Sequence, residues 1–295
     1  MADPRQQSTI TLETVKPLTT AEFQEIRQLA YKKFGLDLRQ GKEELVSARL
    51  GRKIRESNCR SFREYYRHVL DDSTGEALIG MIDALATNHT GFLREPEHFD
   101  FFRDTILPSL TARSTIDIWS AACSTGEEPY TIAFTAMEKM FPGDYAKLRI
   151  LATDISTKAL DSARRATYPA ERFADFPALW MRRFLLRGQG EWKGWFRVKP
   201  EVSGRVQFAR LNLVEPFSHN RRFPLIFCRN VMIYFDKPTQ ERLVNRLAEH
   251  LEPGGYLFVG HAESLTGINH PLQYVRPAIY CNPDRARQAG GGPWA

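Results

Sequence analysis

Two adjacent glutamates, Glu127 and Glu128, open a helical pattern directly behind a loop of small residues, Ser120-Ala-Ala-Cys-Ser-Thr-Gly126. That loop follows the apolar run Ile116–Trp119, and further on the strand pattern Leu148–Thr153 ends at Asp154. Small residues let a backbone approach a ligand, and the start of a helix offers amide N–H groups to an anion. A carboxylate at that place suits an ammonium, and an acid at the next strand tip suits the two hydroxyls of a ribose. A late strand preceded by a Pro-Gly-Gly turn, LEPGGYLFVG over Leu251–Gly260, completes the set. These are the parts of a pocket for S-adenosylmethionine (SAM). Singly, each has a plainer reading: Glu127 and Glu128 as first-turn acids, Asp154 as the N-cap of the following helix. Jointly, at these spacings, they argue for the cofactor. The loop carries one glycine, Gly126, and no GxGxxG follows the first strand, which speaks against an NAD enzyme.

Such a pocket needs a sheet to hold it. From Thr115 onward strand and helix patterns alternate, which implies a doubly wound, Rossmann-like parallel sheet with helices on both faces. Strands are expected at Thr115–Trp119, Leu148–Thr153, Val206–Leu211, Pro224–Cys228 and Tyr256–Gly260, with a terminal antiparallel pair in Leu272–Cys281. Helices are expected at Glu127–Lys139, Thr157–Thr167 and Thr239–Leu251. The stretch Tyr168–Gly204 fits no crossover helix. Its glycine turns flanked by aromatic and β-branched residues read as an inserted antiparallel β-subdomain. From Thr19 to Leu85 the pattern is all-helical, with Thr20 as N-cap and Phe23, Ile26, Leu29, Ala30 and Phe34 on one face. The organisation is then a polar tail (1–14), a helical domain (15–86), the larger domain (87–283) with its insertion (168–204), and a loose tail (284–295).

Net charge is +6 and the pI near 9.2, which favours an acidic partner. The excess is local: Tyr31–Arg67 holds eleven Lys/Arg against five Asp/Glu. Within Gly41–Arg55, Val46, Leu50 and Ile54 share one helix face, and Lys42, Arg49 and Lys53 line another, with Arg52 beside them. No apolar run approaches the ~20 residues of a membrane helix, and the start MADPRQQST lacks the order of a signal peptide. A cytoplasmic protein is expected, with Cys59, Cys123, Cys228 and Cys281 as free thiols too far apart for a zinc pattern, and no metal.

Three further stretches narrow the reaction. Asn88-His-Thr-Gly-Phe-Leu-Arg94 precedes the first strand, PLIFCRNVMIYFDK (Pro224–Lys237) ends a strand in Arg229-Asn230, and GHAES closes at Ser264. With SAACSTGEEPY, these resemble the chemotaxis receptor methyltransferases, the CheR family, over residues 18–283. The resemblance implies a class I SAM-methyltransferase fold and esterification of glutamate side chains on chemoreceptor signalling helices, with S-adenosylhomocysteine (SAH) as product. It implies that Asn88, Thr90 and Arg94 lie around SAM, that Glu128 and Asp154 hold its amino and ribose groups, and that Asn212 and Leu213 lie by the adenine. Arg229 and Asn230 match the pocket floor, and Tyr234 the tyrosine facing the methyl.

A carboxylate acceptor is already nucleophilic at neutral pH, so no general base is needed and His261 reads as structural. Arg94 and Tyr234 are then expected to position substrate. Receptor docking is expected at Lys42, Arg49, Arg52 and Lys53. Some family members also bind a receptor tether peptide on the β-subdomain, for which Gly188, Gly190, Trp192 and Gly194, with Trp195, are the candidates. The family suggests a monomer. A nucleic-acid methyltransferase is the basic-charge rival, but Arg229-Asn-Val-Met stands where amino-group methyltransferases carry Asn/Asp-Pro-Pro-Tyr/Phe, and no RNA-binding signature is present. The other rival is a non-catalytic SAM-sensing scaffold, against which the completeness of the pocket set counts.

Overall fold

The computed structural model describes residues 16–86 and 90–284. The two expected tails and the candidate Asn88 lie outside the described residues, apart from the first residue of the second tail, Asp284. The chain forms two compact units. One takes in 16–32 and 38–86 of the described residues, the other 33–37 and 90–284.

The smaller unit is helical: α1 (Thr20–Phe34), α2 (Glu43–Glu56), α3 (Phe62–Asp71) and α4 (Glu76–Leu85). Helix α1 is capped by Thr19, not by Thr20. The Thr19 hydroxyl accepts the Glu22 N–H at 3.3 Å while Glu22 accepts the Thr19 N–H at 2.9 Å, a reciprocal box that Thr20 is one residue too late to make. Val46, Leu50 and Ile54 are fully buried, so the apolar stripe of α2 faces the unit's core.

In the larger unit α5 (Pro96–Phe101) runs through a π turn (Phe102–Ile106) into α6 (Leu107–Leu110). Alternation then begins with β1 (Ile116–Ala121), α7 (Glu127–Lys139), β2 (Leu148–Asp154) and α8 (Thr157–Arg165). The insertion follows as β3 (Thr167–Pro169), α9 (Ala178–Phe184), β4 (Leu185–Arg187), β5 (Trp195–Val198) and α10 (Pro200–Ser203). Last come β6 (Val206–Arg210), β7 (Phe223–Cys228), α11 (Lys237–Glu249), β8 (Leu251–Phe258), β9 (Gln273–Arg276) and β10 (Ile279–Cys281).

Seven strands form the main sheet in the order β6-β2-β1-β7-β8-β10-β9. The five from β6 to β8 are parallel, and β10 and β9 close one edge antiparallel. A separate antiparallel sheet, β3-β5-β4, makes the insertion. The main sheet shows why its strands read as nearly unbroken apolar runs: both faces are covered. Ile118, Phe227 and Phe258 pack with Tyr130, Phe134 and Met137 of α7, whereas Trp119, Ile226 and Leu257 pack with Leu243, Val244 and Leu247 of α11.

Three boundaries differ from expectation. Asp236 caps α11 by accepting the Thr239 N–H at 3.0 Å, so that helix starts at Lys237, two residues earlier than the pattern suggested. Helix α8 ends at Arg165 because Ala166 turns left-handed and Thr167 enters β3. Strand β8 begins at Leu251: Pro-Gly-Gly does not precede the strand but sits inside it, where the register against β7 shifts between Phe223 and Leu225.

The strand order reverses between β1 and β7. Chain from β1 continues outward through β2 to β6, and chain from β7 through β8 to β10. The carboxyl ends of this central pair form the switch point at which open α/β sheets bind ligands.

Candidate functional site

The loop leaving β1 is tightly wound. Ala122 (φ 67°), Ser124 (φ 48°) and Gly126 (φ 96°) all take left-handed backbone. For the two non-glycine residues that costs roughly 1–3 kcal/mol each, a strain expected where a structure over-determines a site. Gly126 has no alternative: a Cβ there would lie 2.8 Å from the Cβ of Ala163 and 2.9 Å from the Tyr168 hydroxyl. The loop is pinned by Cys123 N–H donating to the Thr153 carbonyl at 2.9 Å and Ser124 N–H donating to Asp154 Oδ2 at 2.8 Å. Asp154 Oδ1 accepts the Ser156 N–H at 2.9 Å, while Ser156 itself caps α8 through Ala159 N–H. The N-cap reading of Asp154 is thereby corrected. It bridges two loops at the β2 tip.

Behind the loop lies a buried ion network. Glu128 Oε1 accepts the Ser120 hydroxyl at 2.7 Å, and its Oε2 accepts Arg229 Nη1 at 2.9 Å. Arg229 Nη2 donates to Glu95 Oε2 at 2.9 Å and to the Arg94 carbonyl at 2.5 Å. Glu95 Oε1 in turn accepts Asn230 Nδ2 and the His261 N–H, both at 3.2 Å. The Arg229, Glu95 and Glu128 side chains are 2%, 14% and 13% exposed, so the three charges act on one another with little screening. Burial pushes the Glu128 carboxyl up against the opposing pull of Arg229 and Ser120. For Glu95 burial pulls the same way, but Arg229, Asn230 and the His261 N–H outweigh it and hold that carboxyl below its usual range. The network carries two carboxylates for one guanidinium and so leaves an unmatched negative charge. SAM carries an ammonium, a sulfonium and one carboxylate, a net positive charge, and the donor set fits it.

Arg229 spends its terminal nitrogens on protein groups, so it acts on any ligand through Glu128. Asn230, at φ 59°, links Glu95 to the loop that continues to Tyr234. That loop is met by the segment 33–37: Asp37 N–H donates to the Tyr234 carbonyl at 2.8 Å, and Leu36 forms a bridge with Phe235. Asn212, two residues past the end of β6, donates Nδ2 to the Lys33 carbonyl at 2.9 Å and accepts the Val214 N–H at 3.2 Å. Its amide is therefore used within the protein, and Leu213 beside it is buried. Thr90 and Arg94 flank Phe92, which stacks on Phe173 at 4.6 Å, and the Thr90 carbonyl accepts Arg172 Nη1 at 2.8 Å. Glu128, Arg229, Asn230 and the Arg94 backbone are thus one connected cluster. Asp154 holds the neighbouring loop, and Tyr234 extends from Asn230.

The remaining candidates lie away from the strand tips. On α2, Arg52 and Lys53 both pair with Glu56, at 2.7 and 2.9 Å, and Arg49 donates to the Leu85 carbonyl. Lys42 precedes the helix and is exposed. In the insertion, Gly188, Gly190 and Gly194 form the turn between β4 and β5, with Gly188 N–H donating to the Trp195 carbonyl at 2.8 Å. Trp192 and Trp195 are 59% and 38% exposed and meet edge to face at 6.1 Å. They border a cavity of about 800 Å³ that also takes in Tyr168, Arg165, Arg187 and Arg197. Those three arginines form no ion pair among the described residues.

Glu95 and Glu263 are not among the candidates read from sequence: Glu263 falls within the quoted GHAES stretch without a role assigned to it, and Glu95 directly follows Arg94. Glu95 makes its contacts to Arg229 and Asn230 across more than a hundred residues. His98 packs its ring against His261 at 4.8 Å, and burial, reinforced by Arg229, brings its imidazole down to about 3. Glu95, His98 and His261 have the types of a metal set, their ligand atoms within 4.8 Å. Both Glu95 oxygens are already taken, however, and a cation there would have to displace the Arg229 guanidinium. Burial pushes the thiols of Cys123 and Cys228 up, so neither is a nucleophile at neutral pH.

Comparison with known proteins agrees with this geometry. Residues 88–281 match the family model described as the SAM binding domain of CheR methyltransferases. Residues 21–86 match the all-alpha domain of the same enzymes. The chain is 42% identical over 263 residues to chemotaxis protein methyltransferase 2 of Pseudomonas aeruginosa, covering 89% of this chain and 93% of that protein. It is 41% identical over 272 residues to the chemotaxis protein methyltransferase of Borreliella burgdorferi, covering 89% and 94%. Against the Escherichia coli chemotaxis protein methyltransferase the identity is 35% over 266 residues, covering 89% and 91%.

Proposed function

This chain belongs to the CheR methyltransferase family, and from that premise we propose that it esterifies glutamate side chains of chemoreceptors with the methyl group of SAM. The observation that carries the reading is the buried Glu128–Arg229–Glu95 network at the switch point, with Asp154 at the adjacent strand tip. SAM supplies an electrophilic methyl on a sulfonium. The protein's part is to hold and to orient. Glu128 takes the ammonium, with Arg229 and Ser120 fixing the carboxylate's direction. Asp154 takes the ribose hydroxyls. The chain supplies no general base because the acceptor is ionised before it arrives.

Methyl transfer from a cation to an anion cancels charge, so a poorly solvated site favours the transition state over the separated ions. A guanidinium clamped on the attacking oxygen would oppose this by stabilising the reactant. Arg94 is accordingly assigned to orienting the substrate or the cofactor, and Tyr234 to facing the methyl.

Receptor helices rich in glutamate complement the basic side of α2. Lys42 and Arg52 are exposed there, Arg52 while pairing with Glu56, whereas Arg49 and Lys53 are less exposed and partly committed to Leu85 and Glu56. The cavity of the insertion supports a second contact. Three arginines without an ion pair among the described residues, beside two accessible tryptophans, suit an acidic peptide with an aromatic residue, added along the edge of the β3-β5-β4 sheet. Tethering there raises local enzyme concentration without altering the active site. We place the reaction in the cytoplasm and take the chain to act as a monomer. No described helix is long and apolar enough to cross a membrane.

The test is transfer of label from methyl-tritiated SAM to a chemoreceptor cytoplasmic fragment, followed by mild alkali. Volatile methanol is expected. Label that survives alkali would show amine or nucleobase methylation, and no transfer would show a scaffold.

A further inference from the structure

The loop that carries Asn230 and Tyr234 is held by a carboxylate no motif assigns. Glu263, on the turn after β8, is 7% exposed and accepts four backbone N–H groups. Its Oε1 takes Met232 at 2.7 Å and Ile233 at 3.2 Å, and its Oε2 takes Asn230 at 2.8 Å and Gly260 at 2.5 Å. No cation pairs with it among the described residues. Three of the four donors belong to the loop leaving β7, so one side chain gathers nearly the whole turn before Tyr234. The packing around it leaves no slack: a Cβ on Gly260 would lie 2.4 Å from Asn230 Nδ2 and 2.9 Å from Glu263 Oε2. Asn230 keeps its left-handed backbone because Glu263 holds its N–H while Glu95 holds its side chain.

We propose that Glu263 is a positioning residue for methyl transfer, fixing the Asn230–Tyr234 loop at the distance from the cofactor pocket that the reaction requires. This rests on the methyltransferase reading above, in which Tyr234 faces the methyl. Glu263 touches neither substrate nor cofactor. It acts through the loop. A glutamine at 263 would keep one acceptor oxygen and turn an NH2 toward two of the four N–H groups, releasing one side of the turn. Displacement of a reacting group by about 1 Å costs on the order of a hundredfold in rate.

The experiment compares the full-length protein with Glu263→Gln, using alkali-labile label transfer to a chemoreceptor cytoplasmic fragment and calorimetric binding of SAH. Expected is a kcat lower by roughly 10- to 100-fold, with SAH affinity and receptor KM within about threefold of wild type. A merely structural role would lower Tm and leave kcat per folded molecule unchanged, and that result overturns the proposal. So does a loss of SAH affinity that matches the loss of kcat. Should Glu263→Gln fail to fold, Glu263→Asp decides: it keeps the carboxylate but draws it back by one methylene, and must give the same separation of kcat from SAH affinity. A wild-type protein that transfers no label overturns the methyltransferase reading and this proposal with it. Wild-type transfer with an unimpaired Glu263→Gln overturns this proposal alone.

Discussion

Replacing Arg229 by methionine removes the cation from between two buried carboxylates while roughly keeping its volume. Arg229 donates to Glu128 and to Glu95 at 2.9 Å each and to the Arg94 carbonyl at 2.5 Å, with 2% of its side chain exposed. Breaking a buried pair by deleting one partner costs about 3–5 kcal/mol, mostly because the other charge is left uncompensated. For a unit of roughly two hundred residues each kcal/mol shifts Tm by about 2–4 °C, so Arg229→Met should melt roughly 6–20 °C below wild type.

The sign of the pH dependence follows. Without Arg229, burial and mutual repulsion raise both carboxyls above their unfolded values, so the folded state binds more protons than the unfolded one and stability falls as pH rises. In the wild type, Glu95 is depressed, and its contribution is lost as pH falls. The gap between variant and wild type must therefore narrow from pH 8 to pH 5.5. Adding Glu95→Gln to Arg229→Met should recover about 1–3 kcal/mol, the usual coupling of contacting groups. Urea and thermal unfolding of the three proteins at both pH values is the assay. A single variant within about 1 kcal/mol of wild type, or a gap that widens on acidification, refutes the network as a charge-balanced unit.

Glu128→Gln should weaken SAM and SAH binding alike by roughly 10- to 150-fold, the loss of a charge-assisted hydrogen bond of about 1.5–3 kcal/mol. Because burial raises the Glu128 carboxyl and the ionised form binds the ammonium, wild-type affinity for SAH should fall on acidification, beginning above the pH expected of an ordinary glutamate. Calorimetry between pH 8 and 5 checks both, and the variant should lack that limb. Lys42→Glu with Arg52→Glu should reduce receptor methylation with SAH affinity unchanged, and added salt should reduce the wild-type advantage. Trp192→Ala with Arg187→Glu should abolish binding of an acidic, aromatic receptor tail while a tailless receptor fragment is methylated at the wild-type rate. Equal loss on both substrates would exclude tail docking on the insertion.

The strand tips were legible because apolar runs end where polarity begins: Asp154 stands at such an end, and Glu128 opens the helix behind the small-residue loop that follows another. Ser120–Gly126 was legible for a related reason: only small residues fit where Ala163 and Tyr168 crowd Gly126. Glu95 and Glu263 were not legible. Their partners lie at sequence separations of 134 and about 30 residues and leave no period in the chain. The Pro-Gly-Gly segment misled for a physical reason. Gly254 N–H reaches the Asn282 carbonyl at 2.7 Å and Asn282 N–H the Gly255 carbonyl at 2.8 Å, so residues with turn chemistry are paired as strand through a bulge. The commitment of Arg49 to Leu85 was equally beyond a helical wheel, which shows nothing of a second helix, whereas the pairing of Lys53 with Glu56 is an ordinary i,i+3 contact.

The placement of charge follows from the reaction. A fixed carboxylate beside the sulfonium would stabilise the cofactor's charge most before transfer and so slow the step. In the proposed reading Glu128 at the helix start and Asp154 at the β2 tip are the acids that grip groups SAM and SAH share. Binding through Glu128 is in that sense uniform: it sets affinity for substrate and product alike and leaves the barrier nearly untouched. Glu263 spends both oxygens on four backbone N–H groups, so in the proposed reading what it supplies to the reacting end is the position of Tyr234 and not a field. Affinity and rate are thereby assigned to different glutamates. A substitution at 128 that lowered kcat at saturating SAM as much as it raised Kd would contradict that division, because it would mean the ammonium contact strengthens as the methyl departs.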